Sequence, residues 1–218
     1  MIALTLLAAT ASCQQQSWEQ YMEAASFAAG DDQLGEAKEW FLSAERLARG
    51  FDSTDPRLAV TLGNLADLYH GEGRDSEAEP LYLEALSLLE RVDGPESARV
   101  GRFVADLAVF YTVLGRSEEA EPLYHRALTA LELEYGPYHD DVLVLRTALA
   151  GFYLEQARFR EADPLYREVL ALLWDTPEPD HDRLLTVLDE YGLVLRALGR
   201  TEEAEVILDE ARAIRAQF

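Results

Sequence analysis

Several things are scarce in this sequence. Cys13 is the only cysteine among 218 residues, which excludes an internal disulfide framework and any multi-cysteine metal centre. Basic residues number 19 against 41 acidic ones, a net charge of -22 that repels phosphate backbones and anionic lipid headgroups alike, so no nucleic-acid partner is expected. Lys38 is the only lysine, a bias in which arginine replaces lysine throughout. There is no glycine-rich phosphate loop, no HExxH, and no Ser, Cys or His in a nucleophile context. The sequence thus advertises no catalytic residue and no cofactor, and an enzyme is not the expected reading. The apolar run Ile2–Ala9 is far below the roughly twenty residues that cross a bilayer as a helix. With 49% hydrophobic residues, the chain is nonetheless rich enough to bury a continuous apolar seam.

What is present is repetition. Glu79-Pro80-Leu81-Tyr82 returns as Glu121-Pro122-Leu123-Tyr124 and as Asp163-Pro164-Leu165-Tyr166, a period of 42 residues. Aligned on a small residue, the series runs Ala37, Ala78, Ala120, Ala162 and Ala204. A second small-residue series runs Ala25, Ala66, Ala108, Ala150 and Gly192, and a series of large residues runs Phe41, Tyr82, Tyr124, Tyr166 and Leu208. Small residues let paired helices approach closely, and a large ring fills the gap beside them. Leu62, Leu65, Ala66 and Tyr69 carry the i, i+3, i+4 spacing of an amphipathic helix, as do Val104, Leu107, Ala108 and Tyr111. Gly73-Arg74, Gly115-Arg116 and Gly199-Arg200 mark a bend inside each unit, with Ala157-Arg158 standing where a glycine is missing. Asp55-Pro56, Gly94-Pro95, Gly136-Pro137 and the Pro177–Pro179 stretch separate one unit from the next. Pro80, Pro122 and Pro164 are expected early in the second helices, where donors lack an intrahelical partner.

Gly-Arg-x-x-E-A-E-P-L-Y recurring in register resembles the tetratricopeptide repeat, particularly the 42-residue variety of kinesin light chains and many bacterial proteins. The resemblance spans residues 17–218. It implies an all-α, right-handed α-solenoid of five helical hairpins, at about 17–50, 56–92, 97–135, 139–175 and 181–218. The first unit departs most: it lacks the Gly-Arg turn and has Trp40-Phe41 in place of Leu-Tyr. At the other end, the series Leu86, Leu128, Leu170 continues as Arg212, and Leu89, Leu131, Leu173 as Arg215. Charge in place of an apolar contact is what a terminal repeat is expected to carry.

The N-terminal sixteen residues read as an export signal and a short tether. Small residues before a lone cysteine, Thr10-Ala11-Ser12-Cys13, resemble the lipobox of bacterial lipoproteins, in which the thiol is acylated and becomes the mature N-terminus. The motif departs from the pattern in having no Lys or Arg n-region and Thr10 where leucine is usual, and Ala9-Thr10-Ala11 also fits an ordinary A-x-A cleavage site. Ser17 and Gln20 fit a capping box, leaving only Gln14, Gln15 and Gln16, roughly 10 Å of extended chain, before Cys13. The expectation is a cell-envelope or periplasmic lipoprotein; the alternative is a cytoplasmic adaptor that keeps its apolar N-terminus.

Such hairpins present their first helices to a concave groove, and position within the family nominates the groove residues. They are Asn64, Asp67 and His70; Arg102, Asp106 and Thr112; Thr147, Gly151 and Glu155; and Asp189, Glu190 and Arg196. Asn64 falls where kinesin light chains use asparagine to hold a peptide backbone, since an amide donates and accepts at once. Asp106, Ala148 and Glu190 follow at the equivalent places, so an asparagine ladder is absent. Chaperone-type members grip acidic tails with lysine, arginine and asparagine, whereas here the same face supplies more acid than base. A protein or peptide partner with a neutral or basic segment is therefore expected. His139-Asp140 and His181-Asp182 have zinc-like chemistry but lie one repeat apart in successive loops, roughly 10 Å from each other, too far to share an ion.

Overall fold

The computed structural model describes residues 17–174 and 180–216. Cys13, with the rest of the segment expected to be an export signal, and the Pro177–Pro179 stretch lie outside the described residues. Those that are described form helices joined by short turns, with no strand among them. They fall into two compact units divided between Pro95 and Glu96. The first unit contains α1 (17–30), α2 (Leu34–Ala48), α3 (Arg57–Gly71) and α4 (Asp75–Asp93). The second contains α5 (Ala98–Val113), α6 (Ser117–Tyr135), α7 (Asp140–Glu155), α8 (Phe159–Trp174), α9 (His181–Ala197) and α10 (Thr201–Arg215). Within each unit, consecutive helices pack on one another in sequence order, the arrangement of stacked antiparallel hairpins.

The repeated small residues are buried within this packing. Ala25, Ala66, Ala108 and Ala150 are fully buried, as are Ala37, Ala78, Ala120, Ala162 and Ala204, and Phe41, Tyr82, Tyr124 and Tyr166 are buried beside them. The fifth hairpin differs. Gly192 replaces alanine and Leu208, only half-buried, replaces the ring; a Cβ on Gly192 would sit 2.7 Å from Leu208 Cδ2. Glycine is required there because a branched side chain has moved into the volume that the other hairpins give to a methyl.

All five intrahairpin turns use one conformation whether or not glycine is available. Gly73, Gly115 and Gly199 have φ of +72°, +70° and +76°, and Asp32 and Ala157 adopt +60° and +57° at the corresponding places. The left-handed residue lets the next amide reach back to the helix just ended: Gln33 N–H to Ala28 O, Arg74 to Tyr69, Arg116 to Tyr111, Arg158 to Tyr153 and Arg200 to Leu195, all 2.8–2.9 Å. The first hairpin therefore has the turn even though its sequence lacks the Gly-Arg signal.

The prolines depart from expectation. Pro80, Pro122 and Pro164 are each the sixth residue of their helix, past the four donors a helix start leaves free. Each removes a regular hydrogen bond, and the helices run on because tertiary packing of α4, α6 and α8 outweighs that local loss.

The arginine of the repeat signature is a clamp. Arg74, Arg116, Arg158 and Arg200 each pair with a glutamate three residues on: Glu77, Glu119, Glu161 and Glu203. Three of them also lie over a tyrosine ring at the end of the preceding helix: Arg74 on Tyr69, Arg116 on Tyr111 and Arg158 on Tyr153, at 4.4–4.5 Å. In the second unit the clamp reaches the previous hairpin. Glu121 accepts from Arg158 at 2.6 Å and from the Tyr153 hydroxyl at 3.0 Å; Asp163 accepts from Arg200 and from the Tyr191 hydroxyl, both at 2.8 Å. In this unit the acidic residue ahead of Pro-Leu-Tyr is thus an acceptor between hairpins. In the first hairpin the matching place is Lys38, whose ammonium lies 4.8 Å above the Tyr69 ring.

Buried charge in the second unit is answered locally. Arg146 is 8% exposed and donates to Glu132 at 2.5 Å and to the Pro137 carbonyl at 3.1 Å. His139 caps α7 through Nδ1, accepting from Asp141 N–H, and Asp180 caps α9 by accepting from Asp182 and Arg183 N–H. The two His-Asp pairs lie at helix starts. Arg212 and Arg215 reach solvent, paired with Asp209 and Asp189.

Candidate functional site

In the first unit, Asn64 and Asp67 of α3 stand in the wall of a pocket of about 520 Å³. Its other sides come from Ser26 and Ala29 of α1, Asp32 in the turn, Leu34 and Phe41 of α2, and Leu68 and Gly71 of α3. The pocket exists because small residues line it where large ones would close it: a Cβ on Gly71 would meet nothing within 4 Å. Its floor is apolar, with Phe41 and Leu68 both buried. Asp67 accepts the Tyr82 hydroxyl of α4. Its outer edge is exposed, but the packed side of the carboxylate has lost water. Burial therefore raises its pKa, opposed by the Tyr82 hydrogen bond and the nearby His70. His70, nominated with them, lies one turn further on, with Nδ1 2.6 Å from Asp75 Oδ1.

In the second unit the nominated residues separate into two groups. Thr112 Oγ1 lies 3.2 Å from the Tyr124 hydroxyl, and the Tyr166 hydroxyl donates to Glu190 at 3.0 Å. Glu155 is close enough to raise the pKa of Tyr124, Tyr166 and Glu190 together, although burial is the larger cause for each. Asp189 raises Glu190 further. These residues gather acid and phenol on the first-helix side. The arginines instead hold the scaffold: Arg102 pairs with Asp141 at 2.8 Å and with the Tyr135 hydroxyl, and Arg196 pairs with Glu205 of α10 at 2.6 Å. Thr147 returns its hydroxyl to Leu143 O, and Gly151 lies near the Tyr166 hydroxyl. Asp106 is exposed.

Four apolar residues on these first helices escaped the sequence reading. Val109 and Val113 of α5, Val144 of α7 and Leu193 of α9 are all exposed, Val113 by 65%. Relative to the buried small residue of each helix they fall at −6, +1 and +5, spacings of seven and four that share one helical face. In a sequence, an apolar residue on an amphipathic helix is naturally assigned to the core. What distinguishes these four is that their face turns away from Leu107, Leu149 and Leu188, which are buried.

His125 is exposed and lies 3.0 Å from the Tyr153 hydroxyl. Among the described residues no three of His, Cys, Asp and Glu are grouped as a metal centre would need.

Tetratricopeptide-repeat sequence profiles match residues 21–91 and 102–173, and a second such profile matches 184–217. Among solved structures, BtubC (BKLC) from P. vanneervenii is 25% identical, with a TM-score of 0.83 over 91% of this chain and 80% of that one. A putative kinesin light chain with nearly identical TPR-like repeats from Podosopora anserina is 24% identical, with a TM-score of 0.78 over 91% of this chain and 95% of that one. The Rap conjugation gene regulator of plasmid pLS20, solved in complex with the Phr* peptide, shares the fold at 15% identity and a TM-score of 0.61, over 92% of this chain and 54% of that one. No protein of curated function matches the sequence. The matched segments and the helix pairs agree on one assignment: this chain belongs to the tetratricopeptide repeat family, an all-α fold of stacked hairpins that serves in general as a non-enzymatic scaffold for protein or peptide partners.

Proposed function

We propose that the chain is a protein-interaction scaffold that holds a neutral or basic peptide segment against its first helices. The observation that carries this reading is the pocket of the first unit, open beside Asn64 and Asp67 and floored by Phe41 and Leu68. An amide in the wall can donate to and accept from an extended main chain, while the apolar floor takes a side chain. The second unit supports it with an exposed face that mixes Val109, Val144 and Leu193 with Glu155, Asp189 and Glu190. That face disfavours an acidic segment. The complex of the Rap regulator with a peptide is a precedent in the fold.

Fluorescence anisotropy with labelled peptides of matched length and graded charge tests the reading. Neutral and basic peptides should bind more tightly than acidic ones, and Asn64→Ala combined with Asp67→Ala should weaken them. Retained affinity in the double variant would remove the pocket from the contact surface.

We further propose that the scaffold works at a bacterial cell envelope, tethered by acylation of Cys13. The support is the Thr10-Ala11-Ser12-Cys13 context, with Gln14–Gln16 leaving a short tether before α1. Membrane fractionation of wild type against Cys13→Ala decides it: release of the variant supports the anchor. Unchanged fractionation, or an intact Met1 on the purified protein, favours a cytoplasmic adaptor instead.

A further inference from the structure

We propose that the first-unit pocket is an anchor for one long cationic side chain, arginine or lysine, of the bound segment. Its aliphatic stem lies on Leu34, Phe41 and Leu68 and its charged head beside Asp67 and Asp32. This rests on the scaffold reading above and names the chemistry that reading leaves open.

The argument is one of unanswered charge. Five carboxylates elsewhere in the first unit pair with arginine: Asp55 with Arg57 at 2.5 Å, Glu45 and Glu84 with Arg49 at 2.7 and 3.0 Å, Glu72 and Glu77 with Arg74 at 2.8 and 2.5 Å. The pocket has no such pair. Two carboxylates, Asp32 and Asp67, line it; none of its lining residues is basic, and no lysine or arginine among the described residues pairs with either. Asp67 has the neutral Tyr82 hydroxyl and, nearby, His70, whose Nδ1 is turned to Asp75. A carboxylate partly stripped of water beside an empty apolar floor is complementary to a side chain with a hydrocarbon stem and a cationic head. A purely apolar guest would fill the floor and leave the carboxylates further desolvated, which is costly. An acidic guest would add like charge to two acids already present. Asn64 stands beside this position to hold the guest's main chain, and the volume, about 520 Å³, is within the usual range for a ligand pocket.

Disulfide tethering tests the proposal at the site itself. Gly71 lies in the pocket wall with open space at its Cβ, so Gly71→Cys in a full-length Cys13→Ala background places a thiol there without a clash. The probes are two disulfide-bearing fragments of one shape, a guanidine and its neutral urea isostere, competed under a reducing buffer and read by intact mass. Ser87→Cys, exposed on α4 of the same unit, corrects for the general attraction of cations to an acidic protein. The Gly71→Cys variant should retain the guanidine about fivefold more than the urea, the scale of a partly exposed ion pair. That preference should be absent at Ser87→Cys and abolished by Asp67→Asn. Equal retention of both fragments above the Ser87→Cys level overturns the cation anchor and leaves a neutral-binding scaffold standing. Retention of neither above that level overturns both readings. A guanidine preference that survives Asp67→Asn with Asp32→Asn also overturns the proposal.

Discussion

Arg158 Nη1 stands 2.6 Å from Glu121 Oε2, tying the turn of one hairpin in the second unit to the second helix of the hairpin before it. The Tyr153 hydroxyl shares the same carboxylate. Hydrogen bonding to Arg158 is the leading cause that lowers the Glu121 pKa, with Tyr153 adding to it against burial. A depressed carboxylate pKa contributes stability above its unfolded value and loses it as pH falls through the folded one. Glu121→Gln should therefore lower the stability of the second unit at neutral pH by about 1 kcal/mol, a figure already discounted for partial exposure. The gap to wild type should close in acid, once wild-type Glu121 is itself protonated. Urea denaturation followed by circular dichroism at several pH values checks both the loss and its disappearance. The Tyr153 hydroxyl, pushed up to about 12 by burial and by Glu121, should titrate closer to an ordinary phenol in the variant.

Ala157 occupies the left-handed conformation, φ +57°, that Gly73, Gly115 and Gly199 take in sister turns. An alanine there costs about 1–2 kcal/mol, because its Cβ crowds the following carbonyl oxygen. Glycine removes that strain but frees the unfolded chain, which returns about 0.4–1 kcal/mol of the gain. Ala157→Gly should therefore stabilise the protein by roughly 0.5–1 kcal/mol, seen as a higher thermal midpoint. Ala157→Val, branched at Cβ, should move the midpoint the other way.

The same turn shows how much of the fold was legible in the sequence. The residues in register at Ala66, Ala108 and Ala150 give the helix pairs directly, because close packing demands a small side chain and repetition reveals which positions demand it. The Gly-Arg pairs mark most turns. Asp32 and Ala157 make the same turn without the signal, since the left-handed strain is local and the packing on both sides holds it in place. The inter-hairpin hydrogen bonds to Glu121 and Asp163 join residues 28 to 37 places apart and carry no local period; only their register with the repeat exposes them. Of the candidate site, Asn64 and Asp67 were readable by position in the family. The pocket beside them was not, because it depends on what Ser26, Ala29 and Gly71 leave empty.

Asp67 has its pKa raised by burial, so it holds its proton more tightly in the folded first unit than in the unfolded chain. The sign is the reverse of Glu121: ionised Asp67 opposes folding at neutral pH, and the opposition fades as pH falls through its raised value. Asp67→Asn removes the charge and keeps an oxygen that can accept the Tyr82 hydroxyl. Its urea midpoint at neutral pH should equal or exceed that of wild type, with the two converging in acid. A marked loss at neutral pH would mean that the carboxylate is needed for folding rather than kept for a guest.

Gly192 and Leu208 form the one exceptional pair in a series that otherwise matches alanine to a ring, as in Ala66 with Tyr82 and Ala150 with Tyr166. Because a Cβ on Gly192 would fall 2.7 Å from Leu208 Cδ2 and 2.8 Å from Cγ, Gly192→Ala forces the leucine off its branch point rather than merely rotating a methyl. Overpacking of this kind costs about 1–3 kcal/mol. The helix propensity of alanine over glycine, about 1 kcal/mol, offsets part of it, so a net loss of roughly 1 kcal/mol is expected. Adding Leu208→Tyr should restore stability, since the other hairpins bury an alanine and a ring at these two positions and a tyrosine hydroxyl can reach water at this half-buried one. Leu208→Tyr alone, facing Gly192, should instead leave a gap where the methyl belongs and be less stable than the double variant. A double-mutant cycle of thermal midpoints measures the coupling; additive effects would show that the two positions do not pack as a pair.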